Sequence, residues 1–390
     1  MNKLSLPRLL GLSVLCVALA ILVGLQALSS IATRQAPDQA AMLFPLNGIA
    51  KEQLAFRQFR TKLSDGVAIP DAAQDALAIA RNGLSSDPLA PKSHALLAMA
   101  ESDPDKRRAI LAAAKTLNRR DLALQGVVLE QHLENEQFAQ VVETLDQMLR
   151  VHPDRSETFF PLLIAALKVD EAAPQFPRIV NGDAAWHVDF VREAARDDEA
   201  LVNLASIRAE IPIDDRPFDS LLITGLARIG EMETALSLYQ ERVELPRSRD
   251  ARETGEWPSD YPPFDWALAE QSDFRAQTTR DGENLELYSR SGQGGVMARR
   301  VIQSPKAPFV ANSSLTMRAT GRSEAVRFNL RCVGAQDRFF DEAYEEGDNQ
   351  WRIEKLPDDC SQLVLEVTAR TLRGDPTLRA EVSPIELNPS

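Results

Sequence analysis

The stretch FAQVVETLDQMLRVHP, residues 138–153, sets the pattern for most of this 390-residue chain. Its apolar side chains fall at Phe138, Val141, Val142, Leu145, Met148 and Leu149. That is the i, i+3, i+4, i+7 rhythm of a helix with one buried stripe. Pro153 ends it, because a proline pushes the preceding residue out of the helical region. One such helix cannot cover its own stripe, so the pattern calls for neighbours of the same kind.

Neighbours recur along the chain. Ala76, Leu77, Ala80, Gly83 and Leu84 form a stripe that Pro88 closes. Residues 91–100 make a second short helix. A third starts at Asp103, a suitable N-cap, with Pro104 at the first helical position and Ile110, Leu111, Ala114 and Leu117 inside. Residues 121–133 give another. GEMETALSLYQERVELP, residues 230–246, repeats the stripe with Ala235, Leu236, Tyr239 and Val243 and again ends on proline. Pro88 and Pro153 lie 65 residues apart, as do Ala76 and Val141, which is two helical-hairpin periods. Two stretches break the rhythm. One holds Pro174, Pro177 and residues 181–183, before a helix resumes with Trp186 and Phe190 on its core face. The other is residues 210–218.

This pattern resembles the tetratricopeptide repeat, a pair of antiparallel helices about 34 residues long. Ala76, Ala80, Gly83 and Pro88 match its second-helix positions, and Ala235 and Tyr239 match the first two in the last unit. The first-helix signature of Trp, Leu-Gly and Tyr is missing. The resemblance covers about 70–245 and implies an all-α helical-hairpin solenoid with a concave, peptide- or protein-binding inner face. His94, Gln125, His132, Phe159 and Asp219 are its candidate partner-contact residues, each with plain surface or core packing as the alternative.

At the N-terminus, Lys3 and Arg8 precede an uncharged run over residues 9–33, and Arg34 comes after it. About 20 apolar residues at about 1.5 Å each cross the roughly 30 Å hydrocarbon core. Residues 1–34 read as an uncleaved transmembrane anchor, with the basic end in the cytoplasm and the bulk of the chain outside. A signal peptide ending near Ala27 and Ser29 is the alternative. Residues 35–69 read as a spacer. Leu54, Phe56, Phe59 and Leu63 there form an amphipathic turn or two, packed on the first repeat or resting on lipid.

The net charge of −13 argues against nucleic-acid binding and broad adhesion to anionic lipid. Residues 246–263, polar and proline-rich, read as a linker. Beyond them the helical period gives way to short alternating runs at 284–288, 314–318, 325–332 and 362–367, the mark of an antiparallel sandwich over 264–390. In order and pattern, FDWALAE (264–270), GGVMARRVI (294–302), SLTMRATGR (314–322), AVRFNLRC (325–332) and the run 349–370 resemble a carbohydrate-binding-module jelly roll. That resemblance implies sugar stacking on exposed rings. Phe339, Phe340 and Tyr344, in RFFDEAYEEGDN (338–349), are the candidate glycan contacts. Cys332 and Cys360 both lie in this region and pair if the compartment is oxidising; two free thiols are the alternative.

No catalytic set stands out. The histidines His94, His132, His152 and His187 lack the spacing of a helical zinc pair, GRSEA (321–325) lacks the second glycine of a nucleophile elbow, and GQGG (292–295) has no following Lys-Ser or Lys-Thr. The acid pairs Asp197-Asp198, Asp214-Asp215 and Asp358-Asp359 read as solvated loops. No cofactor or metal is expected. The sequence therefore points to a binding protein in a bacterial inner membrane, single-pass, with its bulk in the periplasm. It would dock a protein partner of the cell envelope, near polysaccharide assembly or export. A lectin-like protein is the alternative, and a glycan-active hydrolase a further one.

Overall fold

The computed structural model describes residues 6–243, 257–318 and 325–389. Residues 246–256 of the expected linker lie outside the described residues. The chain divides into two compact units, 1–179 and 180–390.

The first unit opens with α1 (Leu6–Ala32), of which the 22 residues Gly11–Ala32 are apolar enough to cross a membrane. A short α2 (Pro37–Leu43) and a long α3 (Gly48–Ser64) come next. The stretch expected as a spacer is thus largely helical. Phe59 of α3 is buried with Ala55, and Phe56 and Leu63 pack against the same cluster. A buried polar knot ties α1 to α2 and α3. Ser29 Oγ donates to Ala40 O at 2.7 Å, Asn47 Nδ2 donates to Ser29 Oγ at 2.7 Å and to Thr33 Oγ1 at 3.0 Å, and Asn47 Oδ1 caps α3 at Ala50 N.

Six helices continue the unit: α4 (Ile69–Ser86), α5 (Pro91–Ala100), α6 (Pro104–Leu117), α7 (Leu122–Glu134), α8 (Phe138–Val151) and α9 (Ser156–Leu167). Each packs on the next, and α3 also touches α5, as α5 does α7. Asp103 and Asp121 cap α6 and α7 through their side chains. The stripe of α8 is buried at Val141, Val142, Leu145, Met148 and Leu149. At about 1.5–3 kcal/mol for each large apolar side chain, that is a gross gain on the order of 10 kcal/mol. At the junction of α3, α4 and α5, backbones meet almost directly. A Cβ on Gly48 would stand 2.8 Å from Asp87 N and 2.9 Å from Gly83 O. Glu52 of α3 accepts from Lys92 N at 2.6 Å, so a side chain from one hairpin caps the first helix of the next.

The second unit starts with α10 (Ala185–Ala194), α11 (Leu201–Ile207), α12 (Arg216–Ile229) and α13 (Met232–Val243). Trp186 and Phe190 are buried side by side, as their spacing predicts. Residues 257–266 then form a strap, with Trp257, Tyr261 and Trp266 buried. Thr224 Oγ1 donates to Pro262 O at 2.7 Å, and Tyr239 OH to Asp265 Oδ1 at 3.0 Å. On its other side Val301 N donates to Pro263 O at 2.7 Å. The second half of the expected linker is therefore packed structure that clasps α12 and α13 to the β region.

That region holds eleven strands among the described residues: β1 (Ala267–Leu268), β2 (Phe274–Thr278), β3 (Leu285–Ser289), β4 (Gly294–Gln303), β5 (Phe309–Met317), β6 (Val326–Cys332), β7 (Phe340–Ala343), β8 (Gly347–Ile353), β9 (Gln362–Arg370), β10 (Leu378–Val382) and β11 (Glu386–Pro389). All the pairings are antiparallel. One sheet runs β1-β4-β9-β6-β7. The other runs β2-β3-β10-β5, with β8 on the far side of β5 and β11 continuing the line of β10. Inward residues of both sheets share one core, including Leu285, Leu287, Phe309, Leu315, Phe328, Leu330, Leu365 and Val367.

Candidate functional site

The five residues expected on a concave face are not brought together. They are spread over α5, α7, α9 and α12. His94 is half-buried, with Nε2 at 2.9 Å from Pro88 O, inside the α4–α5 turn. His132 is half-buried, with Nδ1 at 2.7 Å from Gln137 Oε1. Gln125, Phe159 and Asp219 are buried, which corrects their reading as contact residues. The reason is helix packing on more than one face. In α7, Leu124, Gln125, Val127, Val128 and Leu129 are all buried, so no single stripe marks the covered side. Asp219 instead holds Arg208 in a buried pair, Nε to Oδ1 at 2.6 Å and Nη2 to Oδ2 at 3.1 Å. The same guanidinium donates to Ile211 O and Ile213 O and so fixes the second break in the helical rhythm.

The expected glycan loop is a strand and a turn. β7 pairs with β6, and alternation turns Tyr344 inward. Tyr344 is fully buried, its ring edge-on to Trp351 at 4.8 Å and its hydroxyl donating to Ser313 Oγ. It offers no ring face to a sugar. Phe339 and Phe340 are half-buried and pack against the core. Tyr288, on the outer face of its sheet, is covered by the Arg275 guanidinium at 4.3 Å. Cys332 and Cys360 form a disulfide, with Cα atoms 5.5 Å apart.

The sandwich does carry a polar cavity of about 550 Å³, which the sequence did not reveal. Alternation along β5 sends Phe309, Ala311, Ser313 and Leu315 inward and Asn312 and Ser314 outward. Asn312 faces Gln350 of β8 and Glu386 of β11, and Ser314 faces Asp348. Gln350 Nε2 donates to Asn312 Oδ1 at 3.2 Å. Amides, hydroxyls and carboxylates thus converge across β8, β5 and β11. The signal was present in the sequence as alternating polar residues on two strands. Their pairing was not.

Titratable groups with displaced pKa values have structural partners. Burial pushes the Glu52 carboxyl up despite the Lys92 and Ser93 amides that favour its charge. Burial also raises Asp219, outweighing the pull of Arg208. The Arg192 hydrogen bond lowers Asp215, which caps α12 at Phe218 N. Burial raises the Tyr344 hydroxyl. On the other sheet, Glu366 is buried under Arg299, Arg331 and Arg338. Among the described residues, no group of three or more His, Cys, Asp or Glu side chains is placed to hold a metal ion.

No family model and no curated protein matches the chain. Among solved structures it is similar to accessory secretory protein 1, 2 and 3 of Streptococcus pneumoniae, at 10% identity over 31% of this chain and 87% of that one, with a TM-score of 0.22. It is similar to pilF of Pseudomonas aeruginosa, at 15% identity over 52% of this chain and 97% of that one, with a TM-score of 0.29. It is also similar to the family GH115 4-O-methyl-alpha-glucuronidase BtGH115A, at 12% identity over 73% of this chain and 48% of that one, with a TM-score of 0.18. Scores this low carry no inference about function.

Proposed function

We propose that this protein is a membrane-anchored scaffold whose helical hairpins hold a protein partner on the outer, periplasmic side of a bacterial inner membrane. It binds rather than catalyses. The observation that carries this reading is the buried knot of Ser29, Thr33 and Asn47, which makes the hairpin layers a rigid continuation of the apolar helix. A signal peptide cut near Ala27 or Ser29 would remove or unseat that knot, so the knot supports a retained anchor. Next-neighbour and next-but-one packing of α3, α4, α5 and α7 supports a tetratricopeptide-like solenoid. The disulfide supports an oxidising compartment. A role near envelope polysaccharide assembly or export fits this architecture.

A photo-crosslinking side chain placed at His94, Glu130 or Leu133 in native membranes tests the reading. One discrete protein adduct from these helical positions is expected. Adducts only from Gln350 on the sandwich, or from none of these sites, would overturn it.

One observation favours a second reading. The strand order β3-β10-β5-β8 against β4-β9-β6-β7, with chain crossings between sheets, supports a jelly roll like that of carbohydrate-binding modules. Its sugar site would be the cavity at Asn312, Asp348, Gln350 and Glu386 rather than the Tyr344 region. Calorimetric titration of envelope glycans into wild type and Asn312→Ala separates the two readings.

A further inference from the structure

The anchor and the first two helices form an elbow with two bands of different chemistry. The knot fixes their relative heights. Ser29 Oγ reaches Ala40 O, and Asn47 reaches both Ser29 and Thr33, so residues 40–47 lie alongside 29–33, the last turn of the apolar helix. On this doubled-back segment Met42, Leu43, Leu46 and Ile49 are exposed, at 72%, 42%, 67% and 51%. Leu28 and Ile31, near the end of α1, are exposed as well, at 57% and 78%. Exposed aliphatic side chains grouped around the end of a membrane helix match an interfacial seat.

The second band lies beyond the end of the span. Arg34, Arg57 and Arg60 line a cavity of about 500 Å³ with Pro37, Gln53 and Phe56. Arg57 Nη2 donates to Gln35 O at 3.3 Å, which ties α3 to the residues directly after the anchor. Asp38 stands 3.9 Å from Arg57, whereas Arg34 and Arg60 have no ion-pair partner among the described residues. Three guanidinium groups against one carboxylate make a cationic pocket in a chain of net charge −13.

We propose that the elbow seats on the bilayer, with Met42, Leu43, Leu46 and Ile49 in the acyl boundary and Arg34, Arg57 and Arg60 holding the phosphate of an anionic phospholipid. Apolar seat and basic pocket come in the order of acyl chain and headgroup. Guanidinium groups bind phosphate oxygens with two parallel hydrogen bonds. The seat rests on α1 crossing the membrane and fixes how far the first hairpin stands from it.

The test uses the full-length protein with Cys16→Ala, reconstituted in phosphatidylcholine vesicles with or without phosphatidylglycerol. An environment-sensitive dye is attached at Leu46→Cys, Ile49→Cys or Gln74→Cys. Quenching by chain-attached nitroxide lipids is expected at positions 46 and 49 and not at 74. Water-like emission at 46 and 49 would overturn the seat. Co-purified lipid, measured by mass spectrometry, should favour phosphatidylglycerol. The triple variant Arg34→Gln/Arg57→Gln/Arg60→Gln should lose that preference by on the order of tenfold to a hundredfold. An unchanged preference, or displacement of the lipid by inorganic phosphate, would overturn the headgroup site. Resistance to carbonate extraction reports the anchor separately, so loss of the span and loss of the seat are distinguishable.

Discussion

Removing one partner of the buried Arg208–Asp219 pair should cost far more than removing one partner of a surface ion pair. Both side chains are almost fully buried, at 3% and 5% exposure. Asp219→Ala strands a guanidinium that cannot be deprotonated, and breaking a buried pair from one side costs about 3–5 kcal/mol. Arg208→Met removes the charge but also releases the Ile211 and Ile213 carbonyls, each worth about 1 kcal/mol. Asp219→Ala in the Arg208→Met background should therefore cost less than in the wild type, with a coupling of at least about 2 kcal/mol. Hydrogen exchange of peptides from α11 and α12 reads this locally, which matters in a chain of two units. Additive single and double variants would refute the reasoning.

Three further outcomes are expected from the packing. Cys332→Ser/Cys360→Ser opens a loop of 28 residues and should cost the sandwich about 3–4 kcal/mol, read as a lower melting temperature that reductant reproduces in the wild type. Glu52 has a raised pKa, so its contribution to the helical unit improves as pH falls from neutral towards 4.5; Glu52→Gln should flatten that rise, and Glu52→Ala should lose about 1–2 kcal/mol of capping, both measured by thermal melts across pH. Gly48→Val should pry α3 from α4 at a cost of about 1–3 kcal/mol, whereas the same change at Gly126, where a Cβ meets open space, should show only a helix-propensity effect in urea unfolding.

The sequence made some elements plain and hid others for physical reasons. α6 and α8 were legible because apolar residues repeat at helical spacing and Asp103 and Pro153 mark one end of each. α3 was hidden. Only Leu54, Phe56, Phe59 and Leu63 read as a turn or two, because the helix makes its close contacts through Gly48, Ala50 and Ala55, small residues that leave no large apolar stripe. Gln125 and Asp219 are polar and read as surface, but burial with a partner is a tertiary fact that spacing does not encode. Tyr344 sits in an acidic run that looks like a loop, yet strand alternation turns it inward. The cavity at Asn312 and Gln350 depends on β5 meeting β8 and β11, strands brought together only by the sheet order.

The proposed role requires the hairpins and the sandwich to stand on the side of the membrane opposite the basic N-terminus. Labelling of Gln74→Cys in a Cys16→Ala background, with a membrane-impermeant maleimide on cells whose outer membrane alone is opened, measures that directly. Full labelling at Gln74→Cys is predicted, while Asn2→Cys stays protected until the inner membrane is broken. Protection of Gln74→Cys and labelling of Asn2→Cys would contradict it.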